Sequence, residues 1–488
     1  MNYFFLFFLT IILLFLDFVK KNLRKSKKDP PGPISLPVIG NLHNLTKNPH
    51  RGLKNLSDKY GEVFRCYLGD HYSIVVCNRQ IINEIYVKNF ENFCSRPYND
   101  TFKMFSGDFK DLAFANNYSD WKNIRSMVNG NFTKTNLTKT IYNYLEDQTI
   151  QLINNMDKYT ISGEPFYPQK QYMKVSINIM CKLFFSKEVL PNESIDNGNM
   201  DRISVPIQIV CKELGAGNLD DFVGIISPFL FFTKKKYQKA VSKMINFIEE
   251  IYEEHLNDLD EEKPKDLMDM LIIDSKGNNK KGIVHVGFDF LLGGSDSSSG
   301  IMEWFTLFMS NNKEYQEKAY NEIVSVMGKN CHFISYNDRP KLPYLVACIN
   351  ECLRMRAEDP LGIPRVAIED IEIKGFFIPK GTQIHHNLYA VGMNEKVFEN
   401  PNKFDPERWL TTDQDILKER LNHLIPFSVG PRVCIGKNLS ELETFVVCAN
   451  ILLNFEFSSY TGEPIDDIEI FGITIHPPEF PVKLIKRK

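Results

Sequence analysis

The chain has 488 residues, about three times the length of a typical domain, and 43% of its residues are hydrophobic and 24% charged. These ordinary globular proportions exclude a disordered, collagen-like or multi-span membrane protein. With 58 Lys and Arg against 61 Asp and Glu, the net charge of -3 indicates no nucleic-acid partner, and ten cysteines are too few for a disulfide scaffold.

The chain begins with an apolar run, residues 3–19, which is interrupted only by Thr10 and Asp17 and followed by a lysine-rich flank. At 1.5 Å per residue the run just reaches across a hydrocarbon core of roughly 30 Å. We predict that residues 1–28 form a signal anchor with its basic flank. The protein would then be single-pass, in the endoplasmic reticulum membrane, with its main body on the cytosolic face. A buried N-terminal helix and a cleaved signal peptide are the alternatives.

The next segment, residues 29–40, is rich in proline and cannot be helical, so it predicts a semi-rigid stalk. No comparable linker follows, and residues 41–488 are predicted to form one large domain. Residues 62–68 and 72–77 have the composition of strands and flank a Gly-Asp-His turn, which predicts a hairpin. Helical spacing dominates the middle of the chain, so the predicted class is mainly α with small β-sheets.

Three segments in the helical region contain distinctive residues. Trp121 and Arg125 are four apart, on one face of a helix. Residues 287–300 hold four glycines and four serines, so propensity alone predicts a loop, although an apolar helical run follows directly. Glu351 and Arg354 are three apart on a helix and can pair, but an exposed pair of this kind would contribute little stability.

The last segment, residues 427–436, places Cys434 in a glycine-rich loop just before a helical run. Gly430 and Gly436 permit tight turns, and the helix dipole behind the loop favours a thiolate. Arg432 supplies a guanidinium suited to a carboxylate. A lone Cys-x-Gly would more simply be incidental, but the full pattern F-x-x-G-x-R-x-C-x-G rarely arises by chance.

This loop resembles the haem-binding loop of the cytochrome P-450 family, the haem-thiolate monooxygenases, at every fixed position. The resemblance extends over the chain from Pro30 onward. It implies a single large cytochrome P-450 fold, in which haem b lies between the long central helix and the cysteine loop. Cys434 would be the axial ligand of the haem iron, and Phe427 and Gly436 would also contact the cofactor.

The resemblance assigns the haem propionates to a set of polar side chains. Trp121 and Arg125 match the family's W-x-x-x-R helix, whose two conserved positions bind a propionate. Arg96, Arg365 and Arg432 stand where the family places further propionate partners. A buried propionate needs such neutralisation because an unpaired charge is costly to bury.

Two further roles follow from the resemblance. Glu351, Arg354 and Arg408 are similar to a buried structural cluster that holds the haem-side core. Asp296 and Ser297 resemble the acid-alcohol pair that handles protons beside the oxygen site. The usual alcohol is threonine, and serine samples more rotamers, so looser coupling of electrons to product is expected.

The implied function is insertion of one oxygen atom from O2 into a lipophilic small molecule. Because no dinucleotide or flavin segment is evident, electrons would come from NADPH through a separate NADPH-cytochrome reductase, with cytochrome b5 as a further candidate donor. A haem-thiolate isomerase or lyase acting on peroxides without a reductase is one alternative, and a non-catalytic haem- or lipid-binding protein is another. By analogy with the family, the substrate pocket would be drawn from residues 98–116, 205–235, 289–297, 360–364 and 471–474.

Overall fold

The computed structural model describes residues 2–24, 26–189, 199–230 and 234–487. Its α-helices are α1 (Asn2–Asn22), α2 (Pro49–Tyr60), α3 (Arg79–Asn83), α4 (Asp100–Phe105), α5 (Tyr118–Asn129), α6 (Lys134–Thr140), α7 (Tyr142–Ser162), α8 (Pro168–Phe185), α9 (Asn199–Ala216), α10 (Leu219–Phe222), α11 (Lys235–Asn257), α12 (Leu267–Asp274), α13 (Lys280–Asn311), α14 (Lys313–Met327), α15 (Pro343–Met355), α16 (Leu388–Gly392), α17 (Gln414–His423) and α18 (Lys437–Asn454). The strands are β1 (Val63–Leu68), β2 (His71–Val76), β3 (Arg365–Val366), β4 (Ile371–Ile373), β5 (Phe376–Ile378), β6 (Gln383–His386), β7 (Phe455–Ser459), β8 (Ile470–Phe471), β9 (Ile475–His476) and β10 (Val482–Lys486).

The strands form one four-stranded sheet in the order β1-β2-β6-β3 and three two-stranded sheets, β7 with β10, β4 with β5, and β8 with β9. The predicted hairpin is confirmed, since β1 and β2 pair antiparallel from Val63↔Val76 to Leu68↔His71. Strand β6 joins β2 in parallel from about three hundred residues later in the chain. Helices dominate the rest, so the prediction of a mainly α protein with small β-sheets is confirmed.

The longest helix, α13, runs through the centre and packs against α8, α9, α11, α15 and α18. It includes the whole glycine- and serine-rich stretch 287–300, for which propensity alone predicts a loop. Each glycine costs a helix up to about 1 kcal/mol. Burial of large side chains such as Phe288, Leu291 and Trp304 along the same helix offsets this cost. Tertiary packing therefore decides the conformation of this segment.

The prediction of a single-pass membrane protein is wrong. Over the residues that the structure describes, no helix is both long enough and apolar enough to cross a membrane. Asp17 and Lys21 belong to helix α1 itself and contact the proline-rich segment, where the backbone N–H of Val38 donates to Asp17 (2.7 Å) and the Lys21 ammonium to the Val38 carbonyl (2.9 Å). The Lys21 ammonium also lies 3.8 Å from Asp70 of the body, so this charge is paired and not part of a solvated flank. The placement at the endoplasmic reticulum depended on that anchor and is withdrawn with it.

The proline-rich segment packs on the body at several points. The backbone N–H of Arg65 donates to the Pro31 carbonyl (2.8 Å), and Gly40 forms an antiparallel bridge with Leu68. Just before this segment, Lys28 pairs with Glu372 at 2.5 Å. The division into residues 1–28, 29–40 and 41–488 stays a prediction, because these contacts do not by themselves show which parts fold alone.

Candidate active site

A cavity lies between helix α13 and the loop that precedes α18. The thiol of Cys434 faces it from the loop, and Gly293 and Ser297 face it from α13. Phe427 and Gly436, at the two ends of the predicted cysteine motif, also line it. The structure thus brings both ends of the motif and the central helix to one cavity.

The shape of the cysteine loop depends on close backbone packing. Gly430 has a φ of +83°, and a side chain there would collide with the Tyr86 carbonyl, so only glycine suits the position. The backbone N–H of Cys434 donates to the Phe427 carbonyl at 3.0 Å, which closes the loop. Helix α18 then begins directly after Gly436.

Several groups act on the ionisation of the Cys434 thiol. Burial raises the pKa of the Cys434 thiol, while the backbone N–H groups of Gly436 and Lys437 and the Arg125 guanidinium act in the opposite direction. In the protein chain by itself burial is the larger effect. A metal cation at the sulfur would reverse this balance because coordination requires the thiolate.

Three arginines surround the cavity, and none of them has an acidic partner among the described residues. Burial, reinforced by neighbouring arginines, lowers the pKa of Arg432 to about 9 and holds that of Arg96 well below its usual range. Burial likewise lowers the pKa of Arg365 to about 10. Within the described residues, Nε and Nη1 of Arg365 and Nε of Arg432 have no hydrogen-bond partner. Buried guanidinium groups are normally paired, so this arrangement calls for an anionic ligand.

The haem predicted from the sequence would supply the anionic groups that these arginines need. Its two propionates are anions that could accept hydrogen bonds from the unpaired N–H groups of Arg365 and Arg432. Its iron would take the thiolate of Cys434, the one cysteine among the described residues of the cavity wall. The donor set therefore matches a haem with a thiolate ligand.

The predicted W-x-x-x-R helix lies at the same wall. Trp121 and Arg125 both line the cavity from α5. The Arg432 guanidinium stacks on the Trp121 ring at 4.8 Å, and Arg125 donates to the Val433 carbonyl at 2.9 Å. Arg96 instead spends its donors on the carbonyls of Ala113 (2.9 Å) and Ile363 (2.5 Å). Of the four predicted arginine partners, Arg96 therefore has the fewest donors not used by described residues.

The two side chains of the predicted acid-alcohol pair, Asp296 and Ser297, lie on different sides of the cavity wall. Ser297 lines the cavity and donates to the Gly293 carbonyl at 2.6 Å. The Asp296 carboxylate is buried behind the cavity wall, where it accepts hydrogen bonds from Thr474 and from His476 (3.1 Å). Ser297 is thus adjacent to the cavity. Asp296 is linked to the cavity by its hydrogen bond with Thr474, whose side chain lines the cavity wall.

The predicted structural cluster is assembled below the site. Arg354 pairs with Glu351 through two hydrogen bonds (2.7 and 2.9 Å), and Arg408 donates to the same carboxylate at 3.0 Å. The Trp409 indole donates a further bond of 2.9 Å. The Glu351 and Arg354 side chains are fully buried, and Arg354 also binds the carbonyl of Gly392.

The predicted substrate segments contribute unequally. Residues from 105–114, 289–297, 362–363 and 473–474 line the cavity, but no described residue of 205–235 does. Thr474 was predicted only as part of segment 471–474, and Glu358 and His476 were not predicted from the sequence. The strand that carries His476 has only two residues, and Glu358 follows α15 in an irregular segment, so neither position shows a periodic pattern.

Comparison with known proteins points to one family. The model of the family "Cytochrome P450" matches residues 30–484 of the chain. The "probable cytochrome P450 519E1" of Dictyostelium discoideum is 43% identical over 503 residues, covering 99% of this chain and 98% of the relative. The "probable cytochrome P450 519B1" of the same organism is 40% identical, with 99% of each chain covered. The "probable cytochrome P450 508A2" is 35% identical, covering 98% of this chain and 99% of that one.

Proposed function

The chain belongs to the cytochrome P450 family of haem-thiolate monooxygenases, and on that premise we propose that it inserts one oxygen atom of O2 into a lipophilic small molecule. The electrons would come from NADPH through a separate reductase. The observation that carries the proposal is the meeting of Cys434, Ser297 and three buried arginines at one cavity, where the described part of the chain provides these arginines with no acidic partner.

Haem with a cysteine thiolate ligand is the cofactor of this family. When bound, it supplies the redox chemistry that activates dioxygen. In this chain Cys434 would hold its iron, and Arg365, Arg432, Arg125 and Trp121 would hold its propionates. The indole of Trp121 and the guanidinium of Arg432 stack on each other, which would keep both donors oriented before the cofactor binds.

The character of the cavity wall supports a lipophilic substrate. Apolar side chains from four separate segments line it, namely Phe105, Leu112, Phe114, Phe290, Ile363 and Ile473. Such a wall binds apolar compounds by excluding water, and the few polar groups would orient them. Ser297 could hold a water or donate a proton at the cavity edge, since its hydroxyl stays in place through the Gly293 carbonyl.

The electron source is proposed from the sequence. No dinucleotide-binding fingerprint is evident in it, so a partner protein would have to deliver electrons to the haem domain. NADPH-cytochrome reductase is the proposed partner, with cytochrome b5 as a candidate second donor. Turnover with purified reductase and NADPH, compared with turnover supported by a ferredoxin system, would identify the class of donor.

The first experiment tests the ligand. Reduced protein treated with carbon monoxide should show the shifted Soret band for which the family is named, and Cys434→Ala should abolish it. Cys448→Ala is the matched control, because that cysteine is buried in α18 away from the cavity wall. Loss of the band in the control but not in Cys434→Ala would refute the assignment.

The second experiment tests the reaction. Difference spectroscopy against a library of lipophilic compounds should reveal ligands, and those ligands should be oxidised in the presence of NADPH, reductase and O2. A peroxide isomerase or lyase would instead form product from a hydroperoxide without NADPH. Product that appears only in that second assay would overturn the monooxygenase proposal.

A further inference from the structure

A cluster of buried titratable groups lies directly behind the cavity wall. Asp296 and Glu303 are seven residues apart on the same face of α13. His476 of strand β9 lies between them, with Nε2 at 3.1 Å from Asp296 and Nδ1 at 3.3 Å from Glu303. The imidazole therefore joins two carboxyl groups that the helix alone would leave apart.

A third carboxyl group completes the cluster. Glu358 is buried beside His476, and neither of its carboxyl oxygens has a hydrogen-bond partner within the described residues. Gly300 makes room for it, because a side chain there would collide with the Glu358 carboxyl group and lie 3.0 Å from the His476 ring. Three carboxyl groups and one imidazole thus share a space from which water is largely excluded.

The cluster reaches the cavity wall at two points, the Glu358 side chain and the Thr474 hydroxyl group. Thr474 lines the cavity and is bonded to the Asp296 carboxylate, whereas Asp296 is not among the described residues of the wall. The Thr474 hydroxyl also lies 3.4 Å from Nε2 of His476. A continuous set of hydrogen bonds therefore runs from Glu303 through His476 and Asp296 to Thr474.

The charges of the cluster can be assigned from its surroundings. Burial disfavours an imidazolium, but Asp296 and Glu303 together raise the pKa of His476 well above its usual range. Burial raises the pKa values of Glu303 and Glu358, while His476 and Thr474 hold that of Asp296 below its usual value. The pair of His476 and Asp296 therefore favours an imidazolium beside a carboxylate, while burial disfavours the charged forms of the two glutamates.

The other elements packed here add few charges. The thiol of Cys211 on α9 also bonds to Asp296, and burial raises its pKa well above the usual range, so it stays neutral. Arg356 lies over the Trp304 ring at 5.0 Å but is paired with Asp467 at 2.8 Å. Behind Thr474, the cationic proton donor that faces the Asp296 carboxylate is therefore His476.

We propose that His476 and Glu303 are positioning residues of a proton relay that enters the cavity at the Thr474 hydroxyl. This inference rests on the proposed function. In one passage, the imidazolium gives its Nε2 proton to Asp296, and the Asp296 acid passes it to Thr474, whose own proton moves into the cavity. The ring is left neutral with Nδ1–H donated to Glu303, so one proton is delivered and no other bond changes.

The protonation state can be tested without turnover. In the reduced, carbon monoxide-bound full chain labelled at histidine Cε1, the NMR signal that disappears in His476→Gln should remain that of an imidazolium from about pH 6 to about pH 8. In Asp296→Asn the same signal should titrate to the neutral form within that range. A His476 that is already neutral at about pH 7 in the unaltered protein would overturn the relay.

Turnover provides the second test. His476→Gln and Glu303→Gln should each lower product formation about tenfold and raise the amount of peroxide released per NADPH consumed. This loss is smaller than the about 100-fold loss expected when a general acid itself is removed. Thr474→Val should lower product formation more than either of these variants. Thr474→Ser should keep the ratio of peroxide to NADPH near that of the unaltered protein, because it retains the hydroxyl group. If His476→Gln fails to bind haem, the peroxide released per NADPH by Glu303→Gln is the test of the relay.

A buried histidine elsewhere is the control. His255 bonds to Asp266 at 2.8 Å, and neither residue lines the cavity, so His255→Gln should leave the peroxide ratio unchanged. Unaltered ratios in both the His476 and Thr474 variants would overturn the relay while leaving the proposed function intact. Absence of the carbon monoxide band in the unaltered protein would instead reject the proposed function.

Discussion

At the scale of single residues, Ser297 is the position where this chain departs from the usual acid-alcohol pair. Its hydroxyl faces the cavity and is held by the Gly293 carbonyl one turn earlier in α13. A serine in a helix can leave that bond by rotating about χ1, whereas threonine in a helix is restricted to fewer rotamers. The hydroxyl is thus present but less firmly oriented.

Replacing Ser297 should therefore change coupling in two directions. Ser297→Thr is expected to preserve activity and to raise the fraction of NADPH electrons that reach product, because the added methyl group restricts the hydroxyl. Ser297→Ala should release more hydrogen peroxide while leaving the haem spectrum intact. The measurement is product and peroxide formed per NADPH consumed. Ser126→Ala is the control, since that exposed serine lies within α5, away from the cavity wall, and its hydroxyl donates to the Asn123 carbonyl. Identical ratios in both Ser297 variants would contradict this role.

At the scale of elements, the Glu351 carboxylate joins two parts of the chain that are distant in sequence. It accepts hydrogen bonds from Arg354 on its own helix α15 and from Arg408 and Trp409 on the short turn at Pro406–Leu410. In water a single pair of this kind would contribute little. Here all the groups are buried, so the loss of one partner leaves the others uncompensated.

Glu351→Gln should lower the free energy of unfolding by about 3 kcal/mol, because a neutral amide leaves two buried guanidinium groups without their counter-charge. Denaturant unfolding of the haem-loaded protein, with the carbon monoxide spectrum recorded in parallel, measures this. Glu407→Gln is the matched control on the same turn, since Glu407 pairs with Lys318 at the surface, where both side chains are about half exposed. A change of similar size in the two variants would show that burial is not the cause.

At the scale of the whole molecule, Glu469 fastens the C-terminal part of the chain to helix α2. Its buried carboxylate accepts hydrogen bonds from Arg51 (2.5 and 2.8 Å) and His50 (2.8 Å), more than four hundred residues earlier. Although burial opposes ionisation, His50 and Arg51 lower the pKa of Glu469 far below its usual 4.5. Burial lowers the pKa of His50, which therefore donates as a neutral ring while Arg51 carries the charge.

This contact predicts a pH dependence of stability. A carboxyl group whose pKa is lower in the folded state stabilises the protein above its unfolded pKa, and the contribution is lost as the pH falls toward the folded pKa. Glu469→Gln should cost about 2 kcal/mol near neutral pH, and the difference from the unaltered protein should shrink as the pH falls below 4.5. Urea unfolding at several pH values measures it, with exposed Glu463→Gln as the control. A difference independent of pH would contradict the assignment.

The sequence by itself determined the chemistry of the centre and the class of the fold. The cysteine motif, the W-x-x-x-R spacing and the β1-β2 hairpin are local patterns, and each is confined to a short stretch of chain whose residues are neighbours in any fold. The same holds for the mainly helical class, because helical periodicity is repeated many times along the chain.

Only the tertiary structure decided which groups stand behind the cavity wall. His476 belongs to a strand of two residues, and its partner Asp296 lies 180 residues earlier, so no spacing rule could join them. The glycine- and serine-rich part of α13 is helical because packing outweighs propensity, and the Lys21 charge near the end of α1 is paired instead of remaining part of a solvated flank. In each case long-range burial and pairing supply free energies larger than the local preferences that a sequence displays.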